Sequence, residues 1–88
     1  MFDNANILIT GGTGSFGSEF VKHLLINYKP KRLIVFSRDE MKQWEMAKQF
    51  TKYNCLRFFI GDVREKDRLH RALINVDLFC KQKHKCVF

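Results

Sequence analysis

The chain has 88 residues, of which 45% are hydrophobic and 28% charged, so it is at most one small domain and too apolar to be disordered. A chain of this size buries about 60–65% of the surface its unfolded form exposes, which leaves a narrow margin of stability. No apolar run approaches the roughly 18 residues that span a bilayer, and no basic stretch followed by an apolar core opens the chain as a secretory leader would.

The elements alternate in chain order. Residues 6–10 (N-I-L-I-T) read as a buried strand, followed at once by T-G-G-T-G-S-F-G over residues 10–17. From Ser15 to Tyr28 the apolar residues Phe16, Phe20, Val21, Leu24, Leu25 and Tyr28 recur along one helical face. Pro30 stops that helix, because it lacks an N–H and restricts the residue before it. Leu33-Ile34-Val35-Phe36 is a second apolar strand, and Asp39 caps a helix whose inner face is expected to be Met41, Trp44, Ala47 and Phe50 or Thr51. Residues 56–60 form a third strand and 66–73 a short helix with Leu69, Ala72 and Leu73 inward. Residues 76–80 form a fourth strand.

Strands that are apolar throughout, separated by single amphipathic helices, predict an α/β fold with a parallel sheet covered on both faces. Right-handed crossovers then give the strand order 3-2-1-4, the N-terminal half of a Rossmann doubly wound sheet. In that order strand 1 lies at the switch point, and ligands bind at the carboxyl ends of the strands there.

Gly11, Gly14 and Gly17 stand three residues apart in a strand–turn–helix context, the short-chain-dehydrogenase spacing of a dinucleotide-binding turn. Gly11 permits the reversal out of the strand, since it takes positive φ without a Cβ penalty. Gly14 lets a pyrophosphate approach the backbone, and Gly17 lets helix and strand pack closely. Helical N–H groups near Ser15 and Phe16 then face the anion, with the positive end of the helix dipole behind them.

At the end of the second strand, where an NAD site usually carries a carboxylate, this chain has Ser37-Arg38, with Lys42 one helical turn further on. A hydroxyl, a guanidinium and an ammonium suit a 2′-phosphate, and one charge-assisted bond of that kind contributes roughly 1.5–3 kcal/mol. The expectation is NADP over NAD, with dual or NAD specificity as the runner-up and plain solvated charges as the bland alternative for Arg38 and Lys42. After the third strand, Asp62 can accept from an adenine amino group and Val63 can wall the base. The competing role for Asp62 is to cap the third helix.

With T-G-G-T-G-S-F-G, S-R-D-E-M-K-Q and G-D-V-R-E-K-D-R-L in order, residues 3 to about 77 resemble the extended short-chain dehydrogenase/reductases. More narrowly, they resemble the inverting UDP-N-acetylglucosamine 4,6-dehydratases of bacterial polysaccharide biosynthesis. The resemblance implies that Thr13, Gly14, Ser15 and Phe16 line the pyrophosphate. It implies too that Ser37, Arg38 and Lys42 serve the adenosine phosphate, and that Asp62 and Val63 meet the adenine. It further implies a lyase that oxidises C4 of a UDP-sugar with NADP, loses water across C5 and C6 and returns the hydride to C6, in a homo-oligomeric protein.

No catalytic residue is assigned. The superfamily's Tyr-x-x-x-Lys is absent, since Tyr28 is followed four residues on by Arg32 and Tyr53 by Arg57. The family's Asp-Lys pair for eliminating water would lie beyond residue 88. The expectation is therefore an NADP-binding segment over residues 1–77 that does not turn over alone, followed by a divergent, mostly disordered basic tail over 78–88. Lys81-Gln82-Lys83 would cut the fourth strand short and leave its outer edge unpaired. Cys80, His84 and Cys86 match no zinc spacing, so no metal is expected.

Two further readings follow from charge and cysteine content. The net charge of +7 admits a small basic nucleic-acid-binding protein as an alternative, or a non-catalytic dinucleotide-binding module. The positive residues are spread along the chain without interleaved aromatics, so nucleic acid is not the expected partner. Three cysteines, an odd number without a disulfide framework, favour a reducing cytoplasm, and without a bilayer-spanning run no membrane attachment is expected.

Overall fold

The structure, a computed structural model, describes residues 3–11, 15–62, 64–81 and 85–87. The order is β1 (Asn6–Thr10), α1 (Ser15–Asn27), β2 (Arg32–Ser37), α2 (Glu40–Gln49), β3 (Leu56–Ile60), α3 (Lys66–Ala72), β4 (Leu78–Lys81) and β5 (Lys85–Val87). They form a five-stranded sheet in the order β3-β2-β1-β4-β5. The first four strands are parallel in the expected 3-2-1-4 order.

Strand periodicity sorts the side chains onto two faces. Ile7, Ile9, Leu33, Val35, Leu78 and Cys80 pack with Val21, Leu24 and Leu25 of α1, with Met46 of α2 and with Phe50 at its C-cap. The intervening Leu8, Ile34 and Phe36 pack with Ala72 of α3, and Leu69, Leu73 and Phe79 lie against them. Leu8, Leu24, Leu33 and Leu78 are essentially inaccessible to water. Each such side chain contributes about 1.5–3 kcal/mol relative to exposure.

Helix α2 departs from its expected orientation. Met41 and Trp44, expected inward, are 66% and 59% exposed, while Gln43 and Met46 are buried. The reason is hydrogen bonding: the Gln43 side-chain amide donates to the carbonyls of both Ser37 and Phe59, at 3.3 Å each. A buried polar residue whose amide finds two carbonyl acceptors is accommodated inside, and it adds to the bond that the Ser37 carbonyl already accepts from Gly61 N–H. Trp44 instead stands on the outer surface with the Lys48 ammonium 4.1 Å from its ring centroid. The Asp39 cap is as expected, its carboxylate accepting the Lys42 N–H at 3.1 Å.

The chain after α3 also differs. Asn75 takes a left-handed conformation (φ 63°), and the Val76 N–H bonds back to the Leu73 carbonyl, so Val76 belongs to a turn. Asp77 joins this turn to β1 from both sides: its N–H donates to the Asn6 carbonyl at 2.7 Å, and its carboxylate accepts the Asn6 N–H at 2.8 Å. The fourth strand therefore starts at Leu78, not Val76.

The tail expected to be disordered contains β4 and β5. Strand β5 pairs antiparallel with β4 in the register Phe79↔Val87, Cys80↔Cys86 and Lys81↔Lys85. The edge of β4 is thus occupied, and its exposed N–H and C=O groups find partners in the following segment.

Candidate functional site

The carboxyl ends of β1, β2 and β3 lie side by side, because the parallel register sets Thr10 beside Phe36 and Ser37 beside Ile60. Backbone bonds extend this alignment one residue past the strands. Gly11 N–H donates to the Phe36 carbonyl at 3.1 Å and Gly61 N–H to the Ser37 carbonyl at 2.9 Å. The groups that follow each strand therefore converge on one edge of the sheet.

At the β1 end, Gly11 has φ 66°, the left-handed conformation that the turn requires and that a Cβ would strain. Ser15 opens α1, Phe16 follows it, and Gly17 is buried in the first turn. Thr13, Gly14 and Val63 lie outside the described residues.

At the β2 end the three sequence-singled residues have different surroundings. Ser37 is buried, and its Oγ accepts the Asp39 N–H at 3.0 Å, which sets up the entry to α2. Lys42 is exposed one turn into α2. The Arg38 side chain is 71% exposed and reaches across to the β3 end, its Nη1 lying 3.4 Å from Asp62 Oδ2.

Asp62 is the electrostatic centre of this edge. Its side chain is only 17% exposed. Oδ1 accepts the Arg64 backbone N–H at 2.9 Å and Nε at 3.2 Å; Oδ2 accepts Nε at 3.1 Å and Nη2 at 2.8 Å. The Arg64 side chain, then its backbone amide, and more weakly the Arg38 charge, hold the Asp62 carboxyl down to about 2. Arg64 is stabilised in its charged form by the same contacts.

Asp62 does not cap α3; the residue in the cap position is Glu65, without a side-chain cap bond. Asp62 and Glu65 instead close the preceding turn reciprocally. The Glu65 N–H donates to the Asp62 carbonyl at 2.8 Å, and Glu65 Oε1 accepts the Asp62 N–H at 2.9 Å.

Besides Arg64, two residues outside the sequence-predicted set, Gly61 and Gln43, shape this edge. Gly61 is buried, and a Cβ there would lie 2.9 Å from Phe36 Cζ and 3.1 Å from Arg68 Cδ. The sequence signal was available, because Gly61 is the one glycine outside residues 11–17. Gln43 gave no such signal, since a lone glutamine on a helix reads as a solvated residue. Among the described residues no cluster of His, Cys, Asp or Glu is arranged to hold a metal ion, and no helix is long and apolar enough to cross a membrane. An open groove at the opposite, amino end of the strands is lined by Asp3, Leu25, Tyr28 and Lys29 and lies apart from these groups.

Comparison with known proteins places the chain. Residues 7–82 match the family described as polysaccharide biosynthesis protein. Over 77 residues, 88% of the chain, it is 60% identical to an inverting UDP-N-acetylglucosamine 4,6-dehydratase of Campylobacter jejuni. The alignment spans 23% of that relative's length. Among solved structures, Pen from Bacillus thuringiensis superposes with a TM-score of 0.87 at 36% identity, over 93% of this chain and 25% of that one. A dTDP-glucose 4,6-dehydratase from Bacillus anthracis, solved in complex with NAD, shares the fold with a TM-score of 0.72 at 24% identity, over 89% of this chain and 26% of that one.

Proposed function

We propose that this chain, which belongs to the polysaccharide biosynthesis protein family, is the NADP-binding segment of a nucleotide-sugar 4,6-dehydratase acting on UDP-N-acetylglucosamine. The parent protein would be a cytoplasmic, homo-oligomeric lyase, whose acid–base groups belong to parts of the fold beyond residues 1–88. The segment by itself binds and orients the dinucleotide and does not turn over.

The observation that carries the cofactor assignment is the distribution of charge at the end of β2. The carboxylate that follows Arg38 in sequence, that of Asp39, is committed to the α2 cap through the Lys42 N–H, and that of Asp62, 3.4 Å from Arg38, is engaged mainly by Arg64. The Arg38 guanidinium is left 71% exposed, and Lys42 is exposed beside it. A ribose 2′-hydroxyl wants an acceptor at this position, whereas a 2′-phosphate wants donors and positive charge. The residues fit the second. Gly11, with its left-handed backbone, and the first turn of α1 supply the kind of strand–turn–helix junction that a pyrophosphate approaches. Asp62, ionised and half-buried at the end of β3, is an acceptor suited to an exocyclic amino group. When bound, NADP supplies a hydride acceptor and donor; the chain's own part is to hold and aim it.

Calorimetry on the purified protein tests the assignment. NADP is expected to bind at least tenfold tighter than NAD, and Arg38→Ala to remove most of that difference. Equal affinity for the two, or an Arg38→Ala variant that keeps the preference, would overturn it.

A further inference from the structure

We infer that Arg64 is a positioning residue for the nucleotide site: by occupying the Asp62 carboxylate it keeps the Arg38 guanidinium available to an anionic group at the end of β2. The inference rests on the reading of Arg38 as the residue that receives the 2′-phosphate.

Two guanidinium groups compete for one carboxylate, and the geometry is unequal. Arg64 engages both oxygens, with Nη2 at 2.8 Å from Oδ2, Nε at 3.1 and 3.2 Å from the two oxygens, and its backbone N–H at 2.9 Å from Oδ1. Arg38 makes a single contact at 3.4 Å. Forked, shorter, charge-assisted bonds prevail over a single long one. A carboxylate has about four acceptor positions; three N–H groups of Arg64 fill about three of them, and the one left over is the position read above as serving an adenine amino group.

The arrangement is set locally, before any ligand arrives. Arg64 sits inside the turn that the Asp62–Glu65 bonds close, so its backbone is held beside Asp62. Gly61, wedged between Phe36 and Arg68, fixes the backbone leading into that turn. Arg38 comes from a different strand and holds no comparable anchor. With the Asp62 charge matched chiefly by Arg64, the Arg38 guanidinium is the more loosely held of the two. Without Arg64, the same carboxylate would turn to Arg38, neutralise it and tether it away from the ligand.

The test uses the full 88-residue protein and two probes, adenosine 2′,5′-bisphosphate and adenosine 5′-monophosphate, measured by calorimetry. The readout is the ratio of the two affinities, which cancels any shared loss at the adenine. In Arg64→Gln the preference for the bisphosphate is expected to fall about tenfold, with Arg64→Lys recovering only part of it. Combining Arg64→Gln with Asp62→Asn is expected to restore the preference, because the competing carboxylate is gone. A merely structural role for Arg64 would not be rescued by that second change. Arg64→Gln with the original ratio, or a double variant as poor as the single one, overturns the role of Arg64 and leaves that of Arg38 standing. A wild-type protein without preference between the two probes overturns the reading of Arg38 itself.

Discussion

The β1 end and the paired β2–β3 ends of the sheet build the same edge by different means. At β1 the decisive property is a residue without a Cβ: Gly11, just after the strand, adopts φ 66°. At β2 and β3 the decisive property is a network of side chains from separate segments, with Arg38 and Arg64 converging on Asp62 and Gln43 tying the two strand-end carbonyls together. The first device is local in sequence and therefore visible as a motif. The second exists only once residues some twenty positions apart are brought side by side, and it can be altered one residue at a time.

The largest effect should come where the two devices overlap, at a glycine inside the side-chain network. Gly61→Ala would press a methyl onto the buried Phe36 ring, whose Cζ lies 2.9 Å from the added carbon, while Arg68 can swing aside. A loss of about 1–3 kcal/mol is expected from overpacking, read from urea unfolding. At the β1 end, Gly11→Ala places a Cβ on a left-handed backbone and should cost about 1–2 kcal/mol with the spectroscopic signature of the fold retained. If Gly61→Ala proved harmless, the β3 end would be as tolerant as an ordinary loop.

Gln43→Leu keeps the volume but removes the donor to the Ser37 and Phe59 carbonyls. Since the Ser37 carbonyl retains its bond from Gly61 N–H, the expected cost is about 1 kcal/mol. Amide exchange at the ends of β2 and β3 should quicken more than at β1. On the same helix, Trp44→Ala should change stability by under about 0.5 kcal/mol, because the ring is 59% exposed. A larger loss would mean that α2 presents a different face to the sheet.

The smallest effect is a titration. The Asp62 carboxyl, held at about 2 chiefly by the Arg64 side chain, has a folded-state pKa below its ordinary value of 3.8. Its contribution to stability is therefore present above about pH 4 and is lost as pH falls through 2. Carbon-detected NMR should find its midpoint near 2, and in Arg64→Gln the midpoint should move up toward 3.8.

Much of the fold was legible because it depends on short-range pattern. Apolar patterning marked β1 and β3 at their observed limits, and α1 and β2 within a residue or so. Strands β1 and β2 are buried on both faces, as a run with few polar residues requires, whereas β3, at the edge of the sheet, is only half-buried and carries the exposed Arg57. The crossover rule then ordered four strands correctly. The orientation of α2 was not legible: Met41 and Trp44 are apolar and Gln43 is polar, yet Gln43 goes inside because two carbonyls from different strands accept from its amide. Nor was the start of β4, which depends on Asp77 bonding to Asn6 across 71 positions of sequence.

For the site, the sequence by itself determined which residues stand at the strand ends, because a parallel sheet delivers the segments after its strands to one edge. It determined the Gly11 turn, since only glycine takes that backbone without strain. The tertiary structure alone decided which of these residues act together. Arg64 falls within a short turn beside Asp62, Arg38 arrives from the neighbouring strand, and the fork of the nearer guanidinium takes the carboxylate. That outcome turns on a difference of under an ångström between a contact at 2.8 Å and one at 3.4 Å, and electrostatic partnership is settled at that scale.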